Sequence, residues 1–189
     1  MITTCLIFLA TLGNAEDPTI DTISRVKQCT EIIPYTILDH APTLVEHFEP
    51  DNLYTAIRVI WCESRGFDTA YNSGADDSGL FQVIPRTWEW VRKYSAYKVP
   101  EWDTFIVIVN GIPIGSVEQV FRSGDFDLPL YAQIEFKRVQ FVPYWNILVS
   151  SYLVQGMHSY SPYWKDWKSS QWCWEDPNKW ERKWRNEGY

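Results

Sequence analysis

Glu63 is the residue of this chain best placed to act as an acid. It falls near the C-terminal end of residues 52–64, where Leu53, Ala56, Ile57, Ile60 and Trp61 recur at the i, i+3, i+4, i+7, i+8 spacing of an amphipathic helix. At about 100° per residue it lies beside Ala56 and Ile60, on the edge of the apolar stripe. Partial desolvation and the negative end of the helix dipole both favour a protonated carboxyl there. A general acid working near neutral pH needs that environment. The competing reading is a surface ion pair with Arg58, Arg65 or Arg86. Asp76 and Asp77 are the other carboxylates of interest. A second carboxylate can act as a base beside an acid, although Asp is also a common solvated turn residue.

Downstream of Glu63 the motifs come in a fixed order. Glu63-Ser64-Arg65-Gly66 is followed by Ala70-Tyr71-Asn72-Ser73-Gly74-Ala75, then by Gly79-Leu80-Phe81-Gln82-Val83-Ile84-Pro85, and much later by Asn146-Ile147. This series resembles the signature of lytic transglycosylases and goose-type lysozymes. The resemblance covers residues 50–94 and 139–175. Cys62 directly before the Glu, with Trp164, Trp167 and Trp172-Cys173-Trp174 near the end, is similar to resuscitation-promoting factors and related transglycosylase domains. Two details depart from the family: Asp76-Asp77-Ser78 separates Ala75 from Gly79, and Tyr152-Leu153 stands one position earlier than expected.

The resemblance implies cleavage of the β-1,4 bond between N-acetylmuramic acid and N-acetylglucosamine, with peptidoglycan glycan strands as the partner and no cofactor. Glu63 is the implied catalytic residue. Ser64, Ser78, Gly79, Gln82, Asn146 and Tyr152 are the implied substrate-binding residues, with Gly79 admitting the glycan close to the backbone. For Gln82 and Asn146 the alternative is turn and helix capping. A hydrolytic outcome would enlist Asp76 or Asp77, and a noncatalytic wall-binding protein on the same fold is a third reading. The implied fold is lysozyme-like, α+β and mainly helical, with a small β-hairpin lobe. The resemblance also implies a Cys62–Cys173 disulfide. Closing so long a loop stabilises a fold by up to roughly 4–5 kcal/mol in the chain-entropy view.

The elements that position these residues follow from local signals. Asp51 or Asn52 is suited to cap the 52–64 helix and Gly66 to end it. Residues 67–79 are dense in turn formers and read as a short hairpin or irregular lobe. Thr87–Tyr94 reads as helix with Pro85 near its start. Residues 104–114, TFIVIVNGIPI, are rich in β-branched residues around Asn110-Gly111 and predict a hairpin, within an inserted segment spanning 95–138. Residues 145–155 return to helical spacing, Pro42–Phe48 forms a helical turn or two, and residues 17–40 form a helix and loop. Trp164, Trp167 and Trp172 are expected to be core, and Trp180 and Trp184 to form one helix stripe.

The N-terminus carries an apolar run, Cys5 to Leu12, before Gly13-Asn14-Ala15, the pattern of a signal peptide over residues 1–15 and hence of a secreted, extracellular or periplasmic protein. One lysozyme-like domain then occupies residues 16–189. Removal of residues 1–15 leaves Cys29, Cys62 and Cys173, enough for one disulfide in an oxidising compartment. From the residues alone, Cys29 with Cys62 or with Cys173 is also open; with Cys62 and Cys173 joined, Cys29 is free or intermolecular. The spacing matches no CxxC-type zinc site.

Composition sets the outer limits. With 46% hydrophobic residues over 189 positions the chain can build a core. Its 17 basic against 24 acidic residues, net −7, give nucleic acid no electrostatic purchase. No apolar stretch reaches the roughly 20 residues of a membrane span.

Overall fold

The computed structural model describes residues 4–5, 7–8, 29, 32–123, 133–156, 164–176 and 178. It is a mixed α+β structure with small antiparallel sheets. Two compact units divide the chain, one formed by residues 1–67 and 153–189, the other by 68–152.

In the first unit, the short helices α1 (Tyr35–Leu38) and α2 (Ala41–His47) precede α3 (Pro50–Ser64). A six-residue 3-10 turn, Lys165–Ser170, leads into α7 (Gln171–Trp174), and α3 packs on all of these. The helix α3 begins slightly earlier than the capping signals at Asp51 and Asn52 suggest. Pro50 takes the first helical position, where its missing N–H costs nothing, and Asp51 stands in the first turn facing the positive end of the dipole. Leu53, Ala56, Ile57, Val59, Ile60 and Trp61 are all essentially inaccessible to solvent. Arg58 is also buried. Its guanidinium donates to Glu175 C=O at 3.2 Å and Thr55 Oγ1 at 3.2 Å and lies over the Tyr54 ring.

The C-terminal Trp residues part company. Trp164, Trp167 and Trp174 are buried around one another, with Phe48 stacked on Trp164 at 5.7 Å. Trp174 also donates its indole N–H to Trp167 C=O at 3.1 Å. Trp172, expected in the core, is 61% exposed, because in the α7 turn Cys173 and Trp174 take the inward positions. Trp180 and Trp184 lie outside the described residues, as do most of segments 1–15 and 17–40.

The second unit holds two sheets. In the small one, β1 (Tyr71–Asn72) pairs antiparallel with β2 (Asp77–Ser78) in the register Tyr71 with Ser78. In the larger, the antiparallel order is β4 (Ile112–Ser116), β3 (Phe105–Val109), β5 (Ile134–Arg138). Asn110 and Gly111 both adopt positive φ, +50° and +80°, as a tight turn matched to strand twist requires. Pro113 is tolerated because β4 is an edge strand. Among the described residues the unit also has the helices α4 (Pro85–Tyr94), α5 (Val117–Ser123) and α6 (Pro143–Ser151). The last continues into a π-type segment, Tyr152–Gly156.

Segments 68–94 and 139–152 group with residues 95–138 in the second unit. The reason is visible in the bonds. Val139 N–H donates to Thr104 C=O at 2.8 Å, Trp88 Nε1 donates to Pro100 C=O at 2.9 Å, and β3 aligns with β5 along its whole length.

Candidate active site

Glu63 occupies the last turn of α3, half-buried. That turn is fastened from several sides. Cys62 is bonded to Cys173, with 6.0 Å between their Cα atoms. The helix ends when Arg65 enters the left-handed region at φ +59°, with Gly66 following at +82°. Thr36 of α1 then donates its hydroxyl to Arg65 C=O at 2.7 Å. A Cβ on Gly66 would collide with that same Thr36 side chain, so close approach and backbone conformation both demand glycine. The Arg65 guanidinium donates to Trp61 C=O at 2.5 Å and Cys62 C=O at 3.4 Å, placing a cation on carbonyls of the helix end.

Ser64 serves the same helix end. It is buried, donates to Ile60 C=O at 3.0 Å and accepts the Gly66 N–H at 3.2 Å. Expected to contact substrate, it is instead an internal cap.

Within the second unit the structure brings Ser78, Gly79, Gln82 and Asn146 together. Asn146 is completely buried. Its Oδ1 accepts the Phe81 N–H at 2.9 Å, and its Nδ2 donates to Ser78 C=O at 3.0 Å and Gln140 C=O at 3.2 Å. Both amide hydrogens are therefore committed inside the protein, which is the capping role rather than a sugar contact. Gly79 has φ +77°, and a Cβ there would strike Asn146 and the Gln140 carbonyl. What approaches its backbone is the protein itself, not an open path for a glycan. Ser78 is likewise fully buried, bridged to Val83 through both main-chain groups.

Gln82, at φ +50°, is only partly buried. Its Nε2 donates to Ala70 C=O at 3.0 Å and Gly79 C=O at 2.9 Å, which fixes the side chain and leaves Oε1 as an open acceptor. Tyr152 belongs to an aromatic cluster with Trp90 and Tyr97, its ring 6.3 and 6.1 Å from theirs, and its hydroxyl donates to Tyr94 C=O at 3.1 Å. Tyr94 and Tyr97 are exposed beside it. Neither is among the expected site residues, although the aromatic spacing of residues 90, 94 and 97 is a signal for the cluster.

The two aspartates differ. Asp76 is exposed and accepts the Tyr71 hydroxyl at 2.6 Å, a bond that pushes the Tyr71 phenol above its usual pKa. Asp77 is half-buried and its Oδ1 is enclosed without a hydrogen-bond partner.

Cys29, read as free or intermolecular, is bonded to Cys5, with 5.3 Å between Cα atoms; all four cysteines are paired. Among the described residues no group of His, Cys, Asp and Glu is arranged to hold a metal ion, and no helix is long and apolar enough to cross a membrane. No family model matches the chain, and no curated protein or solved structure does.

Proposed function

We propose that this protein is a secreted lytic transglycosylase with a lysozyme-like fold, cleaving the β-1,4 bond between N-acetylmuramic acid and N-acetylglucosamine in peptidoglycan. The observation that carries the reading is the Cys62–Cys173 disulfide. It pins the helix turn bearing Glu63, as the transglycosylase-like placement of the two cysteines implies. The capped, glycine-terminated helix end adds a fixed backbone beneath the acid. Two disulfides also suit an oxidising compartment.

In this mechanism Glu63 donates its proton to the glycosidic oxygen as the bond to C1 of the muramic acid breaks. The resulting carboxylate then takes the proton of the C6 hydroxyl while that oxygen bonds to C1. A 1,6-anhydro end forms, Glu63 is regenerated and no water is consumed. Gln82, its amide nitrogen already anchored, supplies Oε1 to an acetamido N–H.

The test is mass spectrometry of muropeptides released from purified peptidoglycan, with Glu63→Gln alongside. Anhydro-muramyl ends from the wild type and none from the variant are expected. Reducing ends, one water heavier, would replace this reading with hydrolysis. For that outcome either Asp76 or Asp77 would be the second carboxylate, and Asp76→Asn compared with Asp77→Asn would tell which one is needed for release. Strand binding by both proteins without release would leave a wall-binding module.

A further inference from the structure

Among the described residues β5 pairs with β3 and with no other strand, so its far side is a sheet edge. Its register with β3 runs without a bulge from Val109 opposite Ile134 to Phe105 opposite Arg138. Asn110 N–H donates to Gln133 C=O at 2.9 Å and Val139 N–H to Thr104 C=O at 2.8 Å, which fixes the alternation of the ladder. The main-chain groups of Glu135 and Lys137 therefore point at β3. Those of Ile134, Phe136 and Arg138 point outward, a template for one more strand. The opposite edge is a poorer template. There β4 carries Pro113, which has no N–H, and its register with β3 shifts between Val107 and Ile108.

The side chains of β5 select what that strand can be. Ile134 and Phe136 are exposed on one face, beside the exposed Phe105 and Ile112 of the neighbouring strands, so apolar surface flanks the edge. Glu135 and Lys137 lie on the other face. Charges on an edge ordinarily guard it against pairing. In the sequence IEFKR, however, the acid and the base lie symmetrically about Phe136. Set antiparallel against itself with Phe136 opposite Phe136, this strand brings each Glu135 opposite a Lys137 and each Ile134 opposite the alkyl stem of an Arg138. In that register the outward main-chain groups of Ile134, Phe136 and Arg138 meet as hydrogen-bonded pairs. The neighbouring symmetric registers would set Glu135 against Glu135 or Lys137 against Lys137, so the charges select one alignment.

We propose that a second copy of this chain pairs antiparallel along β5 about a two-fold axis at Phe136, joining two three-stranded sheets into one of six. The interface is isologous, so each Glu135 contact with Lys137 of the partner subunit is made twice. Among the described residues Glu135 has no ion pair within its own chain, and Lys137 pairs with Asp68 at 2.9 Å, to which the partner's Glu135 adds a second carboxylate. One strand pair is a small interface, so the dimer forms reversibly, at about 100 μM and above. The inference does not depend on the role of Glu63.

Sedimentation equilibrium of the full chain, from about 10 μM to about 1 mM, tests this. Wild type is compared with Glu135→Lys, with Lys137→Glu made together with Asp68→Asn so that the new carboxylate faces no like charge, and with an equimolar mixture of the two variants. Wild type should form dimers. Each variant by itself sets like charges across both pairs and should dimerise at least about tenfold more weakly. In the mixture a lysine of one variant meets a glutamate of the other at both pairs, and dimerisation should return to within about threefold of wild type. A wild type monomeric throughout, which would leave the β5 edge to another segment or another protein, overturns the proposal. So does association that Glu135→Lys leaves unchanged, which would put the contact elsewhere, or a mixture that associates no more strongly than its two components.

Discussion

The carboxamide of Asn146 lies directly against Gly79, and neither position tolerates a different residue without disturbing the other. Asn146 holds the Ser78–Phe81 turn by its C=O and N–H groups across 65 and 68 positions of chain. Asn146→Ala strands the Phe81 N–H and the Ser78 and Gln140 carbonyls in a buried place. A loss of about 3 kcal/mol or more in unfolding free energy is expected, measured by urea denaturation. Gly79→Ala should cost a similar amount, about 2–4 kcal/mol, through positive φ and overlap together. A variant at either position that unfolded like wild type would show that the turn is not held this way.

The Cys62–Cys173 bond spans 111 positions. Replacing both residues by Ala should lower stability by up to about 4–5 kcal/mol. It should also loosen the last turn of α3, where amide hydrogen exchange of residues 62–65 would accelerate more than exchange in the β3–β5 sheet.

Cys5 and Cys29 make the thiol count a report on the N-terminus. The oxidised full chain should titrate no free thiol under denaturing, non-reducing conditions. A chain lacking residues 1–15 should titrate one, at Cys29. Intact mass after iodoacetamide labelling distinguishes the two.

His47 gives the fold a dependence on acid. Burial holds its pKa below the ordinary 6.5, only partly opposed by Glu46. The unfolded chain therefore takes up the proton more readily, and stability present above pH 6.5 is lost as the pH falls through the lower folded value. His47→Gln should flatten that part of the stability profile, read as the denaturation midpoint at pH 7 and pH 5.

Two positions on the outer sheet should behave oppositely to the core. Ile112 is 65% exposed and Phe136 is 54% exposed. Ile112→Lys and Phe136→Lys should raise solubility and change the unfolding free energy by no more than about 0.5–1 kcal/mol.

The sequence by itself determined the elements whose signals are local. The apolar period of residues 53–61 made α3, and Asn110-Gly111 between β-branched runs made the β3–β4 hairpin. The turn formers of residues 67–79 made the β1–β2 lobe. Tertiary structure decided what each polar side chain would face. Asn146 and Ser64 carry the residue types of a binding site, yet both became internal caps, because unmatched carbonyls and N–H groups of distant turns close around them. Trp172 went outward while Trp174 went inward, a choice made by one short helix turn beside a disulfide. Residues 95–138 joined the second unit for a similar reason: strand pairing and the Trp88 to Pro100 bond link segments whose affinity no local period encodes. Periodicity fixes which face of an element is apolar. The partner of a buried hydrogen-bonding group is set only once the chain has closed around it.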